Sequence, residues 1–401
     1  MTTTTTQLDV LFLSERAWWP MDQGFCLHGG QMAQALRRRG LRVAVAAMQA
    51  LPPGAPPWLA DLTLPWPAAQ GQEELFLEGW SGAAGGLRRR LARYLGPPVG
   101  QMAGVIPLLR RWRPAAVVGV GVRAPLLLRA LAGLRAESKV PPTRLIWYAA
   151  DELIHFHLSC LRHEPPAAWP QRLRRVAQDA LLEWLFARGL DGAIGVSPRD
   201  AMLLRTRAGV REAVTIRNGV DLDYFTPRAP ARPRGSANPA PGRSIAFWGR
   251  LDFEPNVDAV CWFAQTVWPI LRRRRPDAVW HIVGKNPLPR VRQLAQMPGI
   301  MVHGGVDDLR PYARAAGAVV LPMRCGGGIK NKLLEAAALA RPIVASPAAV
   351  EGLAFGAGTP PLLLCATPQQ WAEAVLRVWS DAALAAELSR RARVWVEESH
   401  T

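Results

Sequence analysis

Short apolar runs alternate with longer stretches of helical period along most of the chain. In the first half the runs are Leu8–Leu13, Arg42–Ala47, Ala115–Val120, Arg144–Ala149, Gly192–Val196 and Val214–Arg217. Strand and helix in strict alternation predict a parallel sheet covered by helices. The pattern stops at a Pro-rich stretch, residues 227–242, which cannot hold a regular ladder and reads as an extended linker. It then restarts with Ser244–Gly249, Ala278–Val283, Ile300–His303, Ala318–Leu321, Pro342–Ser346 and Leu362–Leu364. Between the first two of these, Val260, Ala264, Val267 and Leu271 mark a helix over residues 256–275 that Pro269 should kink or restart. The chain therefore divides into an α/β domain at 1–226, the linker, a second α/β domain at 243–380 and a helical tail at 381–401 that would return toward the first domain.

The segment from Val320 to Glu335 carries the most chemistry. An apolar strand runs into Gly326, Gly327 and Gly328, and a helix follows with Lys330, Lys332 and Glu335. Three glycines allow close backbone approach to an anion, and N–H groups at a helix start point toward it with the favourable end of the helix dipole. Lys332 and Glu335 fall one turn apart on one face. The lysines would meet phosphate, and the carboxylate would accept from vicinal hydroxyls such as those of a ribose. An exposed helical ion pair is the plainer reading, but it gives no use for three entropically costly glycines. The run lacks the Gly-Lys-Ser/Thr ending of a Walker loop.

Composition narrows the class. Of 401 residues, 49% are hydrophobic and 20% charged, which is globular rather than disordered. The polar start, with Asp9 inside the first short apolar run, predicts no signal peptide and a cytoplasmic chain. Arg123 and Arg129 interrupt the longest apolar stretch, so none is expected to span a bilayer. Five cysteines without a Cys-x-x-Cys indicate neither a disulfide framework nor zinc. The formal charge is +18 and almost entirely arginine, which attracts phosphates or anionic surfaces. A GC-rich genome would produce the same bias. Residues 86–95 and 108–113 mix arginine with Leu, Tyr and Trp, as basic amphipathic segments that meet anionic membrane surfaces do. No nucleic-acid-binding module accompanies the charge, so nucleic acid is not an expected partner.

Two further stretches have rival readings. Gly119, Gly121 and Ala124 fit Gly-x-Gly-x-x-Ala, but no acidic residue stands about twenty positions on, where a dinucleotide site needs one. A tight strand-to-helix turn explains them as well. Asp151, His155 and His157 follow a strand, at the edge where open α/β sheets bind ligands. They offer polar groups to an acceptor or, equally, a helix cap and two ordinary histidines. No metal site is expected from them.

Taken together, Pro322–Ala336 and the later Arg341-Pro342-Ile343-Val344-Ala345-Ser346 resemble the donor site of GT-B glycosyltransferases of the GT4 type. Residues 216–227, with Asn218-Gly219-Val220-Asp221, are similar to the domain junction of that family, and Phe247–Asn256 to the first strand and loop of its donor domain. The resemblance implies two Rossmann-like domains facing across a cleft, the first holding the acceptor and the second a nucleotide-diphosphate sugar. It assigns Gly249, Arg250, Arg324, Gly326, Gly327, Gly328, Lys330, Lys332, Glu335 and Glu351 to the donor. Gly24, His28, Gly29 and Asp151 fall to the acceptor side, and Arg250, Lys332 and His155 to catalysis. It also implies transfer with retention, no cofactor and no metal, and a glycan or lipid-linked acceptor in envelope polysaccharide synthesis. Many relatives carry a carboxylate where this chain has Gly327. A nucleotide-sugar epimerase on the same architecture and a donor-binding protein without activity are the rival functions.

Overall fold

The computed structural model describes residues 7–20, 24–69, 71–150, 153–227, 243–356 and 359–401. The Pro-rich linker at 228–242 and Asp151 lie outside the described residues. The chain divides into two compact units, one comprising residues up to Leu158 together with Pro166–Ile216, the other Ser159–Pro165 with Arg217–Thr401.

The first unit is built on β1 (Val10–Ser14), β2 (Val43–Ala47), β3 (Thr63–Leu64), β4 (Ala116–Val120), β5 (Arg144–Ala150), β6 (Gly192–Gly195) and β7 (Ala213–Thr215). Their order is β3-β2-β1-β4-β5-β6-β7, all parallel, with Val10 opposite Val43 on one side and Ala116 on the other. Strands such as Val-Ala-Val-Ala-Ala are apolar throughout because helices cover both faces. Winding reverses between β1 and β4, the position where such sheets open a crevice at their carboxyl ends. The six expected runs are all strands; β3 is additional, a two-residue edge too short to show a period.

Gly119 and Gly121 have structural roles. A Cβ on Gly119 would stand 2.9 Å from both Ala124 Cβ and Leu128 Cδ1, so only glycine lets the Ala124–Ala136 helix lie this close to β4. Gly121 turns at φ 101° and its N–H donates to Tyr148 O at 3.0 Å.

The second unit carries β8 (Ser244–Trp248), β9 (Val279–Val283), β10 (Ile300–His303), β11 (Ala318–Leu321), β12 (Ile343–Ala345) and β13 (Leu363–Leu364) in the order β10-β9-β8-β11-β12-β13. These are the six runs expected after the linker. Winding again reverses, here between β8 and β11. The helical stretch after β8 is two helices, Glu254–Thr266 and Trp268–Arg274, parted where Pro269 removes a donor.

Residues 217–227 belong to this second unit rather than to the first. Val220 N donates to His400 O at 2.8 Å, and Arg310 and Arg314 donate to the carbonyls of Tyr224 and Thr226. The tail helix, Ala382–Ser399, packs on the Asn331–Ala338 helix of the same unit, and Arg393 donates to the carbonyls of Phe225 and Ala338.

Candidate functional site

The site forms where β8 and β11 end side by side. β11 leads into Pro322–Lys330, an irregular loop whose Gly326 and Gly328 take φ of 114° and 64°. Lys330 doubles back over this loop, donating from Nζ to the carbonyls of Gly327 and Gly328. The eight-residue helix Asn331–Ala338 begins immediately after, with Leu333, Leu334 and Ala336–Ala338 in the core. That leaves Lys332 and Glu335 on the flank that faces β8.

Both side chains meet the end of β8. Lys332 Nζ donates to Asn256 Oδ1 and lies 4.4 Å from the centre of the Phe247 ring. Glu335 accepts from Trp248 Nε1. Asn256, itself buried, donates from Nδ2 to Arg250 O at 2.8 Å and so ties the loop after β8 to Lys332. Gly249 stands between them at φ 147°; a Cβ there would lie 2.8 Å from Asn256 Nδ2 and 2.9 Å from Lys332 Nζ. Only glycine fits this close approach.

The electrostatics follow from burial. Desolvation pushes Lys332 down to about 7; Glu335 opposes the fall and Lys330 adds to it. Desolvation also raises the Glu335 carboxyl above its ordinary value, against the Trp248 hydrogen bond and Lys332. An incoming anion would favour the charged lysine. The arrangement presents a switchable cation, a carboxylate held by an indole and a glycine-rich loop at one sheet edge.

The other expected donor residues are placed differently. The Arg250 guanidinium is forked onto Asp252, with Nε–Oδ1 at 3.0 Å and Nη2–Oδ2 at 2.9 Å. Its carbonyl joins the cluster through Asn256 Nδ2. Arg324 donates from Nη2 to His163 Nδ1 at 2.9 Å, stands 3.6 Å from Asp258 Oδ1 and lies over Trp262. Glu351 is half-buried in the turn at Gly352, beyond β12. Asn256 and Trp248 were not recognised as site residues from the sequence. An Asn directly after a proline at a helix start was the one sign the sequence offered for Asn256.

The first unit holds the expected acceptor-side residues. His28 is buried on the Gly24–Arg38 helix and its Nδ1 hydrogen-bonds Tyr148 Oη, while Gly29 packs against the Trp18 ring. Gly24 opens that helix and is exposed. His155 faces Arg199, whose Nη2 donates to Nδ1 at 3.3 Å. His157 is instead locked between Arg172 and Asp179, a structural network.

Residues 242–381 match the family of glycosyl transferases group 1. No curated protein matches the chain by sequence. Among solved structures, Anabaena HepE in complex with UDP and glucose superposes with a TM-score of 0.63 at 15% identity, covering 98% of this chain and 96% of HepE. Sucrose-phosphate synthase from Thermosynechococcus elongatus gives 0.65 at 16%, with 97% and 94% covered. A glycosyltransferase from Rickettsia africae gives 0.58 at 13%, with 98% and 94%. The chain has the GT-B fold of these structures, and the segment that matches the glycosyl transferases group 1 model, residues 242–381, lies in its second unit.

Proposed function

We propose that the protein is a GT4-type glycosyltransferase that moves a sugar, with retention, from a nucleotide diphosphate to a glycan or lipid-linked acceptor of the cell envelope. The observation that carries this reading is the convergence of Lys332 and Glu335 on the end of β8, beside the triglycine loop. The match of residues 242–381 and the likeness to HepE, solved with UDP and glucose, support it.

The work of such a site is electrostatic. Breaking the glycosidic C–O bond places new negative charge on the departing diphosphate. Lys332 and the N–H groups of Gly327 and Gly328 would stabilise that charge more in the transition state than before it, the Gly326 N–H being donated to Ser159 Oγ at 3.0 Å. Glu335 would hold the ribose hydroxyls. Arg250 would reach the phosphates after exchanging Asp252 for them, and Lys330, Arg324 and Glu351 complete the donor surroundings. His155, with Gly24, His28, Gly29 and Asp151, belongs to the acceptor side of the same reading. The position is cytoplasmic, at the inner face of the membrane; among the described residues no helix is long and apolar enough to cross one.

Incubation with a panel of nucleotide sugars tests the reading. Release of a nucleotide diphosphate with a glycosylated product is expected, and turnover should survive EDTA. A sugar epimerised without release would replace the proposal with an epimerase. Binding without conversion of any donor, across a range of acceptors, would leave a non-catalytic protein.

A further inference from the structure

The first unit exposes an unusual helix face. The helix Trp169–Leu182 continues through a π turn, Glu183–Ala187. Trp169, Leu173, Ala177, Ala180 and Trp184 recur along it at steps of four, four, three and four, and all five are exposed. That spacing places them on one stripe, roughly 22 Å long at 1.5 Å per residue. Trp184 is 55% exposed, Leu173 49% and Trp169 45%. Off this stripe, Arg172, Leu182, Glu183, Leu185 and Phe186 are buried.

A second helix adjoins it. Arg88, on the Gly85–Leu95 helix, donates from Nε to Leu185 O at 3.0 Å, in the π turn beside Trp184. This helix exposes Tyr94 at 86% and Leu87 at 46%, with Arg89, Arg90 and Arg93 also exposed. Every exposed charge on the two helices is positive. The Gly85–Leu95 helix has no acidic residue, and the acids of the other, Asp179 and Glu183, are half-buried and buried. By contrast, the Val105–Trp112 segment, also expected to meet a membrane, turns Leu108 and Leu109 into the core. Its apolar period belongs to core packing.

We infer that the Trp169–Trp184 stripe, together with the exposed Leu87 and Tyr94 of the adjoining helix, is the face on which the protein docks to a bilayer rich in anionic phospholipid. Trp at both ends of an apolar stripe, flanked by arginines, matches the layered polarity of headgroup and acyl boundary. A second copy of the chain would set arginine against arginine, and a nucleic acid would leave the leucine and tryptophan stripe without an apolar partner. The inference gives a surface to the membrane-facing part of the proposed function and does not depend on sugar transfer.

Co-sedimentation of the full chain with vesicles tests it. Binding is expected to phosphatidylcholine vesicles containing phosphatidylglycerol, weaker as salt rises, and absent from pure phosphatidylcholine. Trp169→Ser, Leu173→Gln and Trp184→Ser combined should lower partitioning at least tenfold with the melting temperature retained. Ala177→Leu with Ala180→Leu, which widens the stripe, should raise it several-fold, so the result does not hang on a variant that loses structure. Unchanged partitioning in both sets overturns the inference, as does failure of the parent to bind anionic vesicles. Concentration-dependent dimerisation that the triple variant abolishes would assign the face to a second copy. Nucleotide-sugar turnover, measured without vesicles, should be unaffected in all variants, which separates failure here from failure of the enzymatic reading.

Discussion

Lys332 meets three kinds of group at once: the amide oxygen of Asn256, the face of Phe247 and the field of Glu335. Burial drops its folded value to about 7, well below that of a free lysine. The unfolded chain thus binds more protons between those two values, and its linkage makes stability rise with pH across that window and fall away as pH drops through about 7. A bound diphosphate should reverse the shift. Titration of a nucleotide diphosphate near pH 8.5, above the ligand's own titration, should take up close to about one proton, read calorimetrically in buffers of different ionisation heat. Lys332→Met should take up none and should also slow turnover. Glu335→Gln should mainly weaken donor affinity, by about 1.5–3 kcal/mol if the hydroxyl bonds are charge-assisted, with a smaller effect on rate. Equal losses in both variants would remove this division of labour. Lys332 and Glu335 were legible because their spacing is local. Asn256 and Trp248 were not, since they meet them across 76 and 87 residues and no periodicity records such an approach.

At the level of elements, the apolar runs were legible because a parallel strand covered on both faces must be apolar along its length. Thr63–Leu64 carries no such length, and the Val105–Trp112 helix shows why amphipathic character alone does not choose between core and membrane. The turn after β8 makes a sharper demand. Gly249→Ala must strain a backbone at φ 147° and push Asn256 from Lys332 at the same time. It should cost about 1–3 kcal/mol in denaturant unfolding and weaken nucleotide diphosphate binding as well. Asn256→Ala keeps the backbone but removes the bridge, so donor affinity should fall while stability changes by about 1–3 kcal/mol, the cost of an unmet buried partner. A Gly249→Ala variant with unaltered stability would mean that the approach is not tight.

For the whole molecule, the two-unit division was visible in the linker, but the seam was not. It falls at Ile216 because hydrogen bonds of residues 218–226 run to Arg310, Arg314 and His400, partners far along the chain. Donor binding should therefore protect backbone amides of the second unit against hydrogen exchange. At a hundred times its dissociation constant the ligand should stabilise that unit by about 2.7 kcal/mol. Protection confined to the first unit would move the donor to the other sheet.

The contacts joining Gly249, Asn256, Lys332 and Glu335 all lie inside this one unit, so on the proposed function donor choice would be a transplantable trait. A chimera that joins the first unit of another GT-B enzyme to this chain from Arg217 onward should inherit this protein's preference among nucleotide sugars and the other parent's preference among acceptors. Competition assays with mixed donors would read that inheritance directly. On this view lineages could change what they glycosylate by recombination at a seam, without rebuilding the chemistry residue by residue.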